Sequence, residues 1–253
     1  MKEKLYTIPL NDAFDANTEC PFCYIERKIE QDLLDFVLGS GSSYMESDIR
    51  EITDQKGFCR THLKKMFDYG NTLGNAWILK THYMSTIQEM QSQFSAFKPA
   101  KISFKERLLQ SKKHQNPIGL WLEKKENSCY ICDRFSADYA RYLDTFFYLY
   151  KNDDAFADKF LGSKAFCLSH FKDLCFAADD KLKQPEKEIF FPQLFALMQE
   201  NMARILGDIS WMIDMFDYKN KDADWKNSKD AIQRGMQKLK GGFPSDPAYR
   251  MKK

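Results

Sequence analysis

The chain has 253 residues, with 38 lysines and arginines against 36 aspartates and glutamates, 43% hydrophobic and 29% charged side chains. That length and composition fit a folded globular protein with one large core or two smaller ones, and exclude a mainly disordered chain. A formal net charge of +2 excludes a strong field toward nucleic acid or an anionic membrane.

The stretch from Met1 to Asp12 has no apolar run of the length a secretory signal needs. The most apolar window, Ile189 to Met198, is broken by Pro192 and Gln193 and is about half a bilayer span. A cytoplasmic protein with no membrane partner is therefore expected, and in that reducing compartment paired cysteines serve metal or redox chemistry more often than disulfides. Residues 1–19 read as extended and then turn-like, because Asn11, Asp12, Asp15 and Asn17 supply turn chemistry.

Cys20-Pro-Phe-Cys23 follows, and then Ile25, Ile29, Leu33, Phe36 and Val37 recur at helical spacing until Gly39-Ser-Gly-Ser-Ser ends the run. A more polar helical segment from Tyr44 to Asp54 leads to Phe58-Cys59-Arg-Thr-His62. About sixteen helical residues travel roughly 24 Å, so a return leg of similar length would set Cys59 beside Cys20. The predicted unit is a helical hairpin clasped by Cys20, Cys23, Cys59 and His62. A helix from Cys59 to Tyr69 and another from Asn71 to Phe94, with Leu73, Trp77, Ile78, Met84, Ile87 and Met90 as its apolar members, complete a first half over residues 1–97. Residues 98–116 carry Lys98, Lys101, Lys105, Arg107, Lys112 and Lys113 against Glu106 alone, which reads as a solvated basic linker, with a nucleic-acid patch as the alternative.

The second half, residues 117–221, repeats the plan. Cys129-Tyr-Ile-Cys132 and Phe166-Cys167-Leu-Ser-His170 lie 109 and 108 positions after their counterparts. A helix from Tyr130 to Tyr150 with a stripe of Phe135, Tyr139, Tyr142, Phe146 and Tyr150, a corner at Asn152-Asp-Asp and a return through Phe160 form the second hairpin, clasped by Cys129, Cys132, Cys167 and His170. Residues from Gln184 to Tyr218 support a long helix that starts properly near Pro192. A tail over residues 222–253 holds a last helix from Lys229 to Lys240, capped at Asn227-Ser228 and stopped by Gly241-Gly242. Its stripe of Ile232, Met236 and Leu239 is expected to pack on its own chain, with Trp225 stapled to Ile232. On that reading, removing residues 222–253 leaves both metals bound. No stretch alternates as a strand does, so the predicted class is all-α, two pseudo-repeat helical halves with a helical tail.

Three thiols and one imidazole in two i, i+3 pairs are the ligand set of a closed tetrahedral zinc site, and the chain offers two such sets. Four protein ligands leave no position for a reactive water, so the two zinc ions are expected to be structural and the chain to have no catalytic centre. The alternatives use the same residues: an iron–sulfur cluster, which prefers four cysteines, and a thiol redox pair, which favours a parallel sheet that the chain lacks. Cys175 lies eight residues past Cys167, about 12 Å along one helix, and reads as a small buried apolar residue. His82 and His114 have no ligand partners at useful spacing, and there is no phosphate loop, nucleophile elbow or His-Glu-x-x-His helix. The function that follows is a cytoplasmic interaction or scaffold module with a protein partner ahead of nucleic acid, and a nucleic-acid-binding zinc protein as a further alternative.

Tyr6-Thr-Ile-Pro-Leu-Asn-Asp-Ala-Phe14, both cysteine–histidine sets, and the tail Phe216-Asp-Tyr-Lys-Asn with Trp225-Lys-Asn-Ser-Lys-Asp-Ala231 carry a resemblance. Over nearly the whole chain the sequence resembles an uncharacterised bacterial family of duplicated Cys-x-x-Cys…Cys-x-x-His proteins, domain-of-unknown-function family 6062. The resemblance implies that all eight cysteines and histidines of the two sets are family positions. The family commonly has Gly where this chain has Lys226.

Overall fold

The computed structural model describes residues 4–41, 43–99 and 116–251, so the basic segment 98–116, with His114, lies almost wholly outside the described residues. Those residues form eleven α-helices and no strand. The chain divides into two compact units that are nested in sequence: residues 1–30 with 135–247, and residues 31–134 with 248–253.

The outer unit holds α1 (Lys4–Asp15), the first turns of α2 (Pro21–Leu38), most of α7 (Tyr130–Asn152), α8 (Asp154–Leu161), α9 (Leu168–Lys181), α10 (Gln184–Asp214) and α11 (Ala231–Lys240). Its core is aromatic. Phe146 meets the rings of Phe14, Phe22, Phe147, Tyr150, Phe156, Phe160, Phe166 and Phe190 at centroid distances of 5.1–6.5 Å. The aromatic stripe read from the sequence is thus core. Helix α1 replaces the expected extended segment although Pro9 sits inside it. Leu10, Ala13 and Phe14 are buried at helical spacing, and burying Leu and Phe contributes about 1.5–3 kcal/mol each, enough to offset the roughly 3 kcal/mol of an interior proline. In α10 the long helix begins at Gln184 rather than near Pro192, with the Lys183 amide donating to Glu186 at 2.6 Å as its cap.

Helix α11 packs on α9 and α10, but not through the face that its hydrophobic pattern predicts. Ala231, Arg234, Gly235, Gln237 and Lys238 are buried, whereas Ile232, Met236 and Leu239 are about half exposed. Arg234 donates to Asp208 and Asp230 at 2.7 and 2.8 Å, and Lys238 donates to the carbonyl of Glu19 at 2.6 Å and to that of Lys164. Buried cations must be partnered, and these partners choose the face. Trp225 meets Phe216 edge-on at 6.2 Å.

The inner unit holds the remainder of α2, α3 (Ser47–Lys56), α4 (Arg60–Tyr69), α5 (Thr72–Ala96), α6 (Pro117–Glu126) and the first turn of α7. Asn71 caps α5 by accepting from the Gly74 amide at 2.9 Å and donates to the Leu38 carbonyl at 2.7 Å, which ties α5 to the end of α2. Glu89 of α5 accepts from Trp121 and Lys125 of α6 at 3.2 and 2.7 Å. Burial works against its charge, but those two donors outweigh it and hold its carboxyl below the ordinary value.

The return legs of both hairpins are short. Helix α2 has 18 residues, about 27 Å, and α3 only 10, about 15 Å. Helix α7 has 23 residues, about 34 Å, and α8 only 8, about 12 Å. Each return helix is shorter than the one it follows, and the cysteines and histidines gather in other combinations. The predicted clasps are therefore not the ones that form.

Candidate metal centres

Both Cys-x-x-His segments are built alike. Cys59 and Cys167 are the N-caps of α4 and α9, with φ/ψ of −70/163° and −72/162°. At Cys167 the sulfur accepts from the His170 amide at 3.5 Å, whereas Cys59 makes no such cap bond, and in both helices the histidine follows in the first turn. Two residues before each cysteine the backbone turns left-handed, at Gly57 (φ 63°) and at Ala165 (φ 62°). The Cys-x-x-Cys segments open α2 and α7, where the amides of Cys23 and Asp133 donate to the carbonyls of Cys20 and Cys129 at 3.1 Å each.

Each Cys-x-x-Cys gathers with the Cys-x-x-His that lies outside its own predicted hairpin. Cys20 and Cys23 gather with Cys167 and His170, and Cys59 and His62 gather with Cys129 and Cys132, the four ligand atoms of each set lying within 4.8 Å of one another. This corrects the pairing of Cys20 and Cys23 with Cys59 and His62, and of Cys129 and Cys132 with Cys167 and His170. All eight predicted residues are in a centre, and each centre lies within one unit.

In the outer centre, His170 Nδ1 lies 3.2, 3.6 and 3.1 Å from the sulfurs of Cys20, Cys23 and Cys167, and the sulfurs of Cys23 and Cys167 are 3.9 Å apart. All four residues are buried. The other ring nitrogen of His170 stands 3.1 Å from Glu26 Oε1, so a carboxylate fixes the tautomer that presents Nδ1 to the sulfurs. Phe22 and Tyr139 pack on the ring at 5.8 and 5.7 Å. Gly241, just past α11, covers the sulfurs: a Cβ there would lie 3.4 Å from Cys167 Sγ and 3.8 Å from Cys23 Sγ.

In the inner centre, His62 Nδ1 lies 3.2, 3.2 and 3.4 Å from the sulfurs of Cys59, Cys129 and Cys132, and Cys59 and Cys132 are 3.8 Å apart. Cys59 and Cys132 are only half-buried. Tyr130 donates its amide to the Gly57 carbonyl at 3.0 Å and locks the two segments together. Gly57 is required by His82, because an added Cβ would lie 2.7 Å from the imidazole Cε1, and His82 Nδ1 itself meets the Asp54 carbonyl at 2.8 Å.

These distances suit one tetrahedral ion. With metal–sulfur bonds of about 2.3 Å the sulfurs should stand about 3.8 Å apart. A disulfide needs about 2.05 Å, and all seven cysteines are free. Protons alone divide unevenly within each set. Burial, then Cys167 and Cys23, push the Cys20 thiol far up, while hydrogen bonds from Cys20 and Cys23, with His170, hold Cys167 far down. His170 is lifted to about 12 despite its burial, by the sulfurs of Cys167 and Cys23 and by Glu26. In the inner centre, burial followed by Cys129 and Cys59 pushes Cys132 to about 12; Cys129, despite its burial, is brought to about 6 by the hydrogen bond with His62. A divalent cation is what allows three packed thiols to ionise together.

A family model matches residues 1–246. The chain belongs to DUF6062, a family of unknown function. The match includes all eight ligands and α11 of this DUF6062 chain. No curated protein and no solved structure matches it. At Lys226, where the resemblance has Gly, this DUF6062 chain still makes the left-handed turn (φ 50°), helped by the Lys226 amide on Asp224 Oδ1 at 3.0 Å.

Sequence reasoning missed Glu26, Lys238, Gly241 and the pair of Gly57 with His82. Glu26 was open to detection, being one helical turn past Cys23; the others depend on contacts distant in sequence. Cys175 is half-buried and belongs to neither centre.

Proposed function

We propose that this protein is a two-zinc structural metalloprotein of the cytoplasm, acting as an interaction or scaffold module without a catalytic centre. The observation that carries the reading is the donor set itself: each centre brings three cysteines and one histidine within 4.8 Å, a closed set that leaves no protein-free position for substrate or water. The same closeness disfavours an iron–sulfur cluster, whose several irons hold their outer cysteines farther apart and favour four thiolates. When bound, zinc supplies charge and a fixed tetrahedral junction. The chain supplies two helix N-termini, four ligands per ion and, for the outer centre, Glu26 behind the histidine. No helix among the described residues is long and apolar enough to cross a membrane.

Metal analysis of anaerobically purified protein, with an absorption spectrum, tests the reading. About two zinc ions per chain and no visible absorption are the expected result. A brown protein with iron and labile sulfide would overturn it.

A further inference from the structure

Helix α5 carries a second apolar face beside the one it buries. One side is used inside the inner unit: Gly74 and Ile78 are buried, Thr81 donates to Asp54 of α3 at 2.6 Å, His82 meets the Asp54 carbonyl, and Glu89 binds α6. The neighbouring face, about 100° around the helix, carries Leu73, Trp77, Met84, Ile87 and Phe94, which are 65, 40, 62, 50 and 56% exposed. With Lys80 and Gln91 they follow an unbroken three-four spacing from residue 73 to residue 94, the rhythm of a helix seam. An outward face on a soluble helix is ordinarily charged, yet along this one the only charged residue is Lys80, which folds back over the Trp77 ring at 4.9 Å. Depletion of charge with enrichment in aromatics and methionine marks the centre of an interface.

We propose that α5 is a self-association helix, pairing antiparallel with α5 of a second copy of this chain about a twofold axis at Met84. The seam is self-complementary when reversed: Leu73 then faces Phe94, Trp77 faces Gln91, Lys80 faces Ile87, and Met84 faces itself. A parallel pair would instead set Lys80 against Lys80 inside an apolar seam and align the two helix dipoles. Covering these five side chains removes on the order of 500 Å² per copy, about 1,000 Å² in all, which reaches the lower bound of a specific interface and suits a weak, reversible dimer. The inference names a partner for the interaction reading, and it rests on α5 alone, so it fails or stands independently of which metal is bound.

Sedimentation of the zinc-loaded full chain tests it. The expected species has twice the 29.8 kDa mass of one chain. Met84→Asp, at an exposed position, puts two carboxylates face to face on the axis and should weaken association by about 100-fold or more, with metal content and helical circular dichroism unchanged. Met84→Cys should cross-link to its own copy on mild oxidation, and Leu73→Cys alone should not. A chain that stays monomeric at about 100 µM, a dimer as tight with Met84→Asp, or equal cross-linking through Leu73→Cys overturns the proposal.

Discussion

The outer and inner centres use one ligand set and one backbone plan, and they differ in what surrounds them. In the outer centre every ligand is buried, Glu26 backs the histidine, two rings pack on its imidazole, and α11 closes the sulfurs with Gly241. In the inner centre two of three cysteines are half-buried. The two Cys-x-x-His segments share their local geometry down to the N-cap dihedrals, but enclosure comes from the chain packed around them. The outer centre should accordingly be the stability anchor and the inner one the more exchangeable site.

The largest effect that could break this contrast is loss of a ligand. Cys167→Ser should lower the melting temperature by about 10 °C or more and cut amide protection mainly in residues 135–247, whereas Cys59→Ser should do less and act in residues 31–134. Equal losses of protection in both units would erase the distinction. Next comes α11. Lys238 binds the carbonyls of Glu19 and Lys164, which flank the two ligand segments of the outer centre, and this gives a prediction that competes with the expectation that both metals stay bound without the tail. Lys238→Met should cost about 3 kcal/mol and speed chelator-driven loss of one zinc while the other is retained at the wild-type rate; unchanged release would show that α11 only covers the site.

Gly57→Ala sharpens the contrast from the other side. Gly57 has φ 63° and ψ −157°, a region essentially reserved for glycine, and His82 blocks the added methyl. A loss of about 2–4 kcal/mol is expected by denaturant titration, with the inner zinc released more easily; a neutral result would mean that His82 moves aside freely. The smallest effect is Glu26→Gln, which keeps an acceptor for the His170 N–H but removes the charge. Zinc affinity of the outer centre should fall about 10-fold in competition titrations, and no change would mean that the carboxylate contributes only packing.

The eight cysteines and histidines that gather in two sets were legible in the sequence because i, i+3 spacing is a local signal, and most helices because apolar period is one too. Partnering was not. Which Cys-x-x-Cys meets which Cys-x-x-His is decided by packing between segments 67–150 positions apart, and no local pattern records that. Helix α11 shows the same limit: its apolar stripe read correctly as a stripe, but Arg234 and Lys238 find Asp208 and Glu19, the latter 219 positions from Lys238, and their pairing turns the stripe outward. Helix α1 was hidden by its turn-forming residues and Pro9, and burial of Leu10 and Phe14 prevailed.

The crossed assembly of the centres is tested most directly by zinc counting in two double variants. If Cys20 shares an ion with Cys167, Cys20→Ser with Cys167→Ser disables a single centre and should retain about one zinc per chain, while Cys20→Ser with Cys59→Ser disables both and should retain about none. The reverse result, one zinc retained with Cys20→Ser and Cys59→Ser and none with Cys20→Ser and Cys167→Ser, would mean that each half clasps its own hairpin and would contradict the account.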